Sequence, residues 1–141
     1  MIRSGSAVWQ GNLREGSGTV TTESGVLKSS PYSFGSRFES APATNPEELI
    51  AAAHAACFSM ALSLQLQMAG LTAERIETTA KVTLEKLDAG FTITASHLVL
   101  VAKVPGAKPE QFSAIAEGAK AGCIVSRALN AAISLEAKLV S

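Results

Sequence analysis

The chain has 141 residues, with 12 Lys and Arg balancing 12 Asp and Glu, and it is 47% hydrophobic but only 17% charged. At this length a single domain, residues 1–141, can bury about 68–70% of its unfolded surface without a disulfide or structural metal. Zero net charge excludes the basic face of a nucleic-acid binder, and the apolar content excludes disorder. Sparse charge with abundant apolar surface points to an oligomer.

The amino terminus, MIRSGSAVWQGN, has no apolar run of signal-peptide length, so export is not expected. Residues 6–10 and 18–22 are β-prone on either side of a turn region at 11–16, and Tyr32, Phe34 and Phe38 extend the short-strand pattern to 38. Residues 41–44 form a loop. Asn45 is then a good N-cap, Pro46 suits the first helical position, and Glu47 and Glu48 complement the positive helix end. Asn45 and Glu48 also match a capping box. With Gly70 as the stop, the spacing predicts a helix of ~24 residues and ~36 Å.

Residues 49–71 contain no Asp, Glu, Lys or Arg and are long enough to span a bilayer. They are Ala-rich, however, carry His54, Ser59, Ser63, Gln65 and Gln67, and lack flanking aromatic or basic anchors. A helix apolar on nearly every face is expected to be buried on nearly every face.

Ile76, Thr78, Ala80, Val82 and Leu84 alternate with polar residues as a half-buried strand. Asp88-Ala89-Gly90 turns the chain, and residues 91–104 return as the hairpin partner. Their apolar phase shifts, so either a bulge lies near Ser96 or both faces are covered there. Pro109 opens a helix with Phe112, Ile115, Ala116 and Ala119 on one face, closed by Gly122. Residues 123–130 form a shorter helix and 133–139 a last strand. Without regular βαβ alternation, the fold class is α+β.

Cys57 lies about three turns into the long helix. A buried cysteine in apolar surroundings is ordinarily inert. Its own helix dipole fades within the first turn, so a reactive thiolate needs a side-chain cation. Arg37 is one candidate and Arg14 its competitor, while His54 shares the helical face of Cys57. Cys123 follows Gly122 at the start of the short helix, where free N–H groups favour a thiolate. The two cysteines are 66 positions apart with no C-x-x-C signature, and spacing alone does not pair them.

The run ATNPEELIAAAHAACFSMAL at 43–62 closely resembles the signature of the osmotically inducible protein C (OsmC) family, which includes the organic hydroperoxide resistance proteins. The likeness extends along the chain through Gly18-Thr19-Val20, Arg37-Phe38-Glu39, Asp88-Ala89-Gly90-Phe91 and Gly122-Cys123. It implies an OsmC-like α+β fold with N-terminal strands, a long central helix, a hairpin, a helix pair and a final strand. It further implies a cytoplasmic, intertwined homodimer with sites at the interface. The implied activity is a thiol-dependent peroxidase reducing organic hydroperoxides without metal, haem or flavin.

Position by position, Cys57 matches the peroxidatic cysteine, Cys123 the resolving one, and Arg37 and Glu47 the family's arginine and glutamate. The Arg-Phe-Glu segment fits the OsmC branch. The hydroperoxide-resistance branch has its arginine nearer the amino terminus, which leaves a place for Arg14. An external dithiol, in some members a lipoyl group, reopens the disulfide.

The chemistry accounts for these residue types. A Cys57 thiolate attacks the distal peroxide oxygen, and a guanidinium favours the thiolate and the departing alkoxide alike. Glu47 is expected to hold Arg37 by a bidentate pair. Cys123 traps the sulfenate as a disulfide. Glu47 and Cys57, ten residues apart, are separated by ~15 Å along a continuous helix. Either the helix breaks near 51–53, or the arginine–glutamate arm serves the Cys57 of another subunit. Two competing functions are a non-catalytic stress or ligand-binding protein on the same fold and a thiol hydrolase with His54 as base. The hydrolase needs an oxyanion hole, for which a mid-helix cysteine has no free N–H groups.

Overall fold

Short Thr-, Ser- and Val-bearing segments open the chain, and the computed structural model, which describes residues 1–141, pairs them into a small antiparallel sheet. Strands β1 (Gly5–Gln10), β2 (Ser17–Thr22) and β3 (Ser30–Tyr32) lie in the order β1-β2-β3. Gly18 faces Trp9 on one side and Tyr32 on the other, and the two rings approach to 5.4 Å between centroids. A Cβ at position 18 would sit 2.5 Å from the Tyr32 ring and 2.7 Å from the Trp9 ring, so only glycine lets the aromatics close over the strand.

Residues 34–38 are not strand, as the aromatic alternation suggested, but the short helix α1 (Phe34–Phe38). Ser33 and Ser36 form a reciprocal capping box. Ser33 Oγ accepts from the Ser36 N–H at 3.1 Å, and Ser36 Oγ accepts from the Ser33 N–H at 2.9 Å. That local pairing outweighs the alternation.

Helix α2 (Pro46–Met68) begins and ends where its caps predict. Asn45 Oδ1 accepts the Glu48 N–H at 2.8 Å, but the Glu48 carboxylate takes the Thr44 hydroxyl at 2.8 Å, so this half of the expected box is replaced. At the other end Leu71 N–H reaches Leu66 O, Gly70 N–H reaches Gln67 O, and Gly70 has φ +73°, a left-handed Schellman terminus.

The chain divides into two compact units, Met1–Leu49 and Ile50–Ser141. In the second, β4 (Arg75–Leu87) and β5 (Gly90–Lys103) form the expected hairpin, and β6 (Ala132–Val140) lies parallel to β5. A parallel neighbour requires a crossover, supplied by α3 (Pro109–Gly122) and α4 (Ile124–Ala128). The irregularity in the hairpin falls slightly before Ser96. Thr83 pairs with Ala95 and Leu84 with Ile93, leaving Thr94 as the extra residue.

The core joins Phe58, Leu62 and Leu66 of α2 to Leu98, Leu100 and Ala102 of β5 and Phe112, Ala116 and Ala119 of α3. Each large α2 side chain so buried contributes roughly 1.5–3 kcal/mol. α2 has the length and apolarity of a membrane span, yet this stripe packs into the core of the fold. Within one chain it is not enclosed on every face: Met60, Leu64 and Met68 are 76%, 56% and 74% exposed.

Candidate active site

Two thiols meet in the second unit. Cys57, half-buried on α2, and the fully buried Cys123 are free thiols close enough to shift one another's ionisation. Cys123 stands at the joint of two helices, as C-cap of α3 and N-cap of α4. Its backbone N–H closes the first by bonding Ala119 O at 2.9 Å.

The environment treats the two sulfurs oppositely. Burial pushes the Cys57 thiol up, and neighbouring Cys123 adds to this, while the Val125 and Ile124 N–H groups only partly compensate. Burial also opposes a Cys123 thiolate, but there the Ser126 N–H, the Cys57 thiol, the Ser126 hydroxyl and the Val125 N–H outweigh it and bring the thiol down. Cys123 makes no side-chain capping bond to α4, so these groups act on its sulfur without closing a cap. The free N–H groups at the start of α4 also reach Cys57, a source of help that its place in the middle of α2 conceals.

Behind Ser126 lies His54, wholly buried. Its Nε2 is 2.7 Å from Ser126 Oγ and its Nδ1 2.7 Å from Ser96 Oγ. Burial lowers the pKa of His54, so the ring is neutral with one donor and one acceptor nitrogen. With both nitrogens engaged by serines and no carboxylate to orient it, His54 does not form the base of a hydrolase triad.

In the first unit, α1 presents Arg37 and the first turn of α2 presents Glu47. Arg37 Nε and Nη2 both approach Glu47 Oε1, at 3.0 and 2.9 Å. This corrects the expected bidentate pair: two donors converge on one oxygen, and Glu47 Oε2 is buried without a hydrogen-bond partner. The Arg37 guanidinium also lies 5.2 Å from the Phe38 ring centroid. Arg14 has a different partner, stacking 4.7 Å from the centroid of Phe34. A groove of about 240 Å³ beside this pair is lined by Trp9, Leu13, Tyr32, Phe34, Arg37 and Phe38. It offers an apolar wall around one cation.

The structure thus brings Cys57 to Cys123 and Arg37 to Glu47. It also adds Ser126 and Ser96, which sequence reasoning passed over. The signal for Ser126 is its place three residues after Cys123, where a helix's third N–H and side chain turn toward the cap. Ser96 has no comparable signal, because only the fold places it against His54. No group of three or more His, Cys, Asp or Glu residues gathers anywhere in the chain as a metal cluster would.

The OsmC-like protein family model matches residues 38–138. Peroxiredoxin OsmC of Escherichia coli K12 is 55% identical over 139 residues, covering 99% of this chain and 97% of the relative. The organic hydroperoxide resistance protein of Elizabethkingia anophelis is 26% identical with a TM-score of 0.72, over 100% of this chain and 98% of its own. The organic hydroperoxide resistance protein OhrB of Bacillus subtilis, 23% identical over 97% of this chain and 98% of its own with a TM-score of 0.68, shares the fold.

Proposed function

The chain belongs to the OsmC-like protein family, and from that premise we propose that it is a cysteine-based peroxidase reducing organic hydroperoxides to alcohols. The observation that carries this proposal is the pairing of Cys57 with Cys123 inside the fold. The Cys57 thiolate attacks the distal oxygen of ROOH. An S–O bond forms, the O–O bond breaks, and the alkoxide leaves and is protonated to ROH. Cys57 is now a sulfenic acid, and Cys123 displaces its hydroxyl as water to form the disulfide. A dithiol, of lipoyl or similar type, returns two electrons. The cysteines carry the redox chemistry, and no step calls for a metal, haem or flavin.

Cys57 needs help to ionise, since its surroundings push its thiol up. Arg37 is the cation proposed for that task, with Glu47 holding its guanidinium. A guanidinium keeps its charge in an apolar pocket. We place this arm against the Cys57 of a partner subunit in a homodimer, with the groove beside Arg37 receiving the alkyl group of the peroxide. Two observations support the arrangement: α2 runs without a break through residues 51–53, and its Met60, Leu64 and Met68 stripe is uncovered. Free thiols that cycle through a disulfide suit a reducing compartment, so the cytoplasm is the proposed location.

The test is steady-state consumption of cumene or tert-butyl hydroperoxide, compared with hydrogen peroxide, in the presence of several dithiols. Turnover with the organic peroxides and at least one dithiol is expected. Absence of turnover with every dithiol tried overturns the proposal and favours a non-catalytic binding role.

A further inference from the structure

The roles proposed for Cys57 and Cys123 leave a buried hydrogen-bonded chain unexplained. Ser96, His54 and Ser126 come from β5, α2 and α4, three separate elements, and the last lies three residues after Cys123, whose thiol its hydroxyl helps to bring down. A wholly buried imidazole with both nitrogens at 2.7 Å from hydroxyls orients whatever it holds. Only one polarity satisfies every member when Cys123 is ionised. Ser96 O–H donates to His54 Nδ1, His54 Nε2–H donates to Ser126 Oγ, and Ser126 O–H is left to donate to the sulfur.

Resting on the peroxidase reading above, we infer that Ser126 is a catalytic residue of the disulfide half-cycle, donating its hydroxyl hydrogen bond to the Cys123 thiolate, and that His54 is the positioning residue that aims it. In the forming direction, the Cys123 thiolate attacks the Cys57 sulfenic sulfur. The S–S bond forms, the S–O bond breaks, and hydroxide leaves and takes a proton from solvent. In the opening direction, one sulfur of the reducing dithiol attacks Cys57, the more accessible of the two, since Cys123 is 0% exposed. Cys123 departs as the thiolate that Ser126 is placed to receive. The second thiol of the reductant then displaces Cys57 from the mixed disulfide, leaving a cyclic disulfide and two reduced cysteines.

The lowering of the Cys123 thiol by its neighbours, the Ser126 hydroxyl among them, fits this assignment. The titratable group facing Cys123 is Cys57 on α2, His54 stands one hydroxyl behind, and its other neighbours are the N–H groups of Val125 and Ser126 on α4.

The experiment uses the full chain and its Ser126→Ala, Ser126→Thr and His54→Gln variants. α4 buries none of its residues, so the serine variants are expected to fold. Excess cumene hydroperoxide is mixed rapidly with reduced protein, and sulfenate formation and its conversion to disulfide are followed from pH 5 to 10. In Ser126→Ala, sulfenate formation should be unchanged and conversion slowed roughly tenfold at neutral pH, for loss of a hydrogen bond to a charged sulfur. The deficit should close at high pH, Ser126→Thr should restore the rate, and His54→Gln should shift the profile in the same direction. Opening the disulfide with the monothiol 2-mercaptoethanol, followed by an acid quench and peptide mapping, should find the adduct on Cys57. A conversion profile in Ser126→Ala matching the unaltered chain, or an adduct on Cys123, overturns this inference alone. An unaltered chain that forms neither sulfenate nor disulfide overturns the peroxidase reading and this inference with it.

Discussion

Leu64→Glu is the sharpest probe of the proposed site shared between subunits. Met60, Leu64 and Met68 project from the uncovered face of α2 at 76%, 56% and 74% exposure. Covering them removes the equivalent of about two complete apolar side chains from water per subunit, roughly 3–6 kcal/mol before the costs of association. A two-fold interface repeats each substitution in both copies. Leu64→Glu therefore forfeits about 1 kcal/mol of burial twice and adds two buried carboxylates at several kcal/mol each. The combined penalty of more than ~6 kcal/mol weakens the dimer more than ~10⁴-fold. Because the side chain is outside the core, the circular dichroism spectrum should match that of the unaltered chain. Sedimentation velocity should show monomers, and hydroperoxide turnover should collapse as Cys57 loses the partner's guanidinium. A folded monomer with undiminished turnover would refute the shared site, and a variant that stays dimeric would show that this stripe is not the seam.

Cys123→Ser should consume one equivalent of cumene hydroperoxide and stop with a sulfenate on Cys57 that dimedone captures; multiple turnover with a dithiol would remove its resolving role. Arg37→Ala should raise the pH midpoint of Cys57 alkylation by about one unit or more, equivalent to ~1.4 kcal/mol of lost thiolate preference, and an unchanged midpoint would transfer the role to Arg14. Burial lowers the pKa of His54 from its usual 6.5, so the unfolded chain takes up this proton first as the pH falls. The corresponding stability is complete above that value and declines below it, by up to ~1.4 kcal/mol per pH unit, until the native ring titrates. Urea unfolding between pH 7.5 and 5 measures the slope. His54→Gln should flatten it, and a slope equal to that of the unaltered chain would show that other groups set the acid limit.

The parts legible in the sequence are those governed by local chemistry. Asn45-Pro46 and Gly70 bracket α2 because caps act within one turn, and the alternation from Ile76 marks β4 because one strand face is buried. The start of α4 is legible from Gly122-Cys123 for the same reason. α1 is not legible, because a five-residue helix has too little periodicity to compete with spaced aromatics, and the Ser33–Ser36 box is its only cue. Composition showed α2 to be apolar all round but not which side one chain covers, since burial depends on partners. The site was legible as residue types, not as their electrostatics. Nothing local to Cys57 reveals that N–H groups of α4 reach its sulfur, or that His54 faces two serines.

Cys123 ends one helix and begins the next, so a bond to its sulfur bears on both. A disulfide would hold the two sulfurs about 2.05 Å apart. α3 is pinned through Phe112, Ala116 and Ala119, whereas α4 buries none of its residues. α4 is nonetheless held, through Val125 against the core and Ser126 Oγ at 2.7 Å from His54. In the proposed cycle the closed disulfide is a covalent tie from α2 to the point where α3 ends and α4 begins, and opening it leaves that junction held by packing and hydrogen bonds alone.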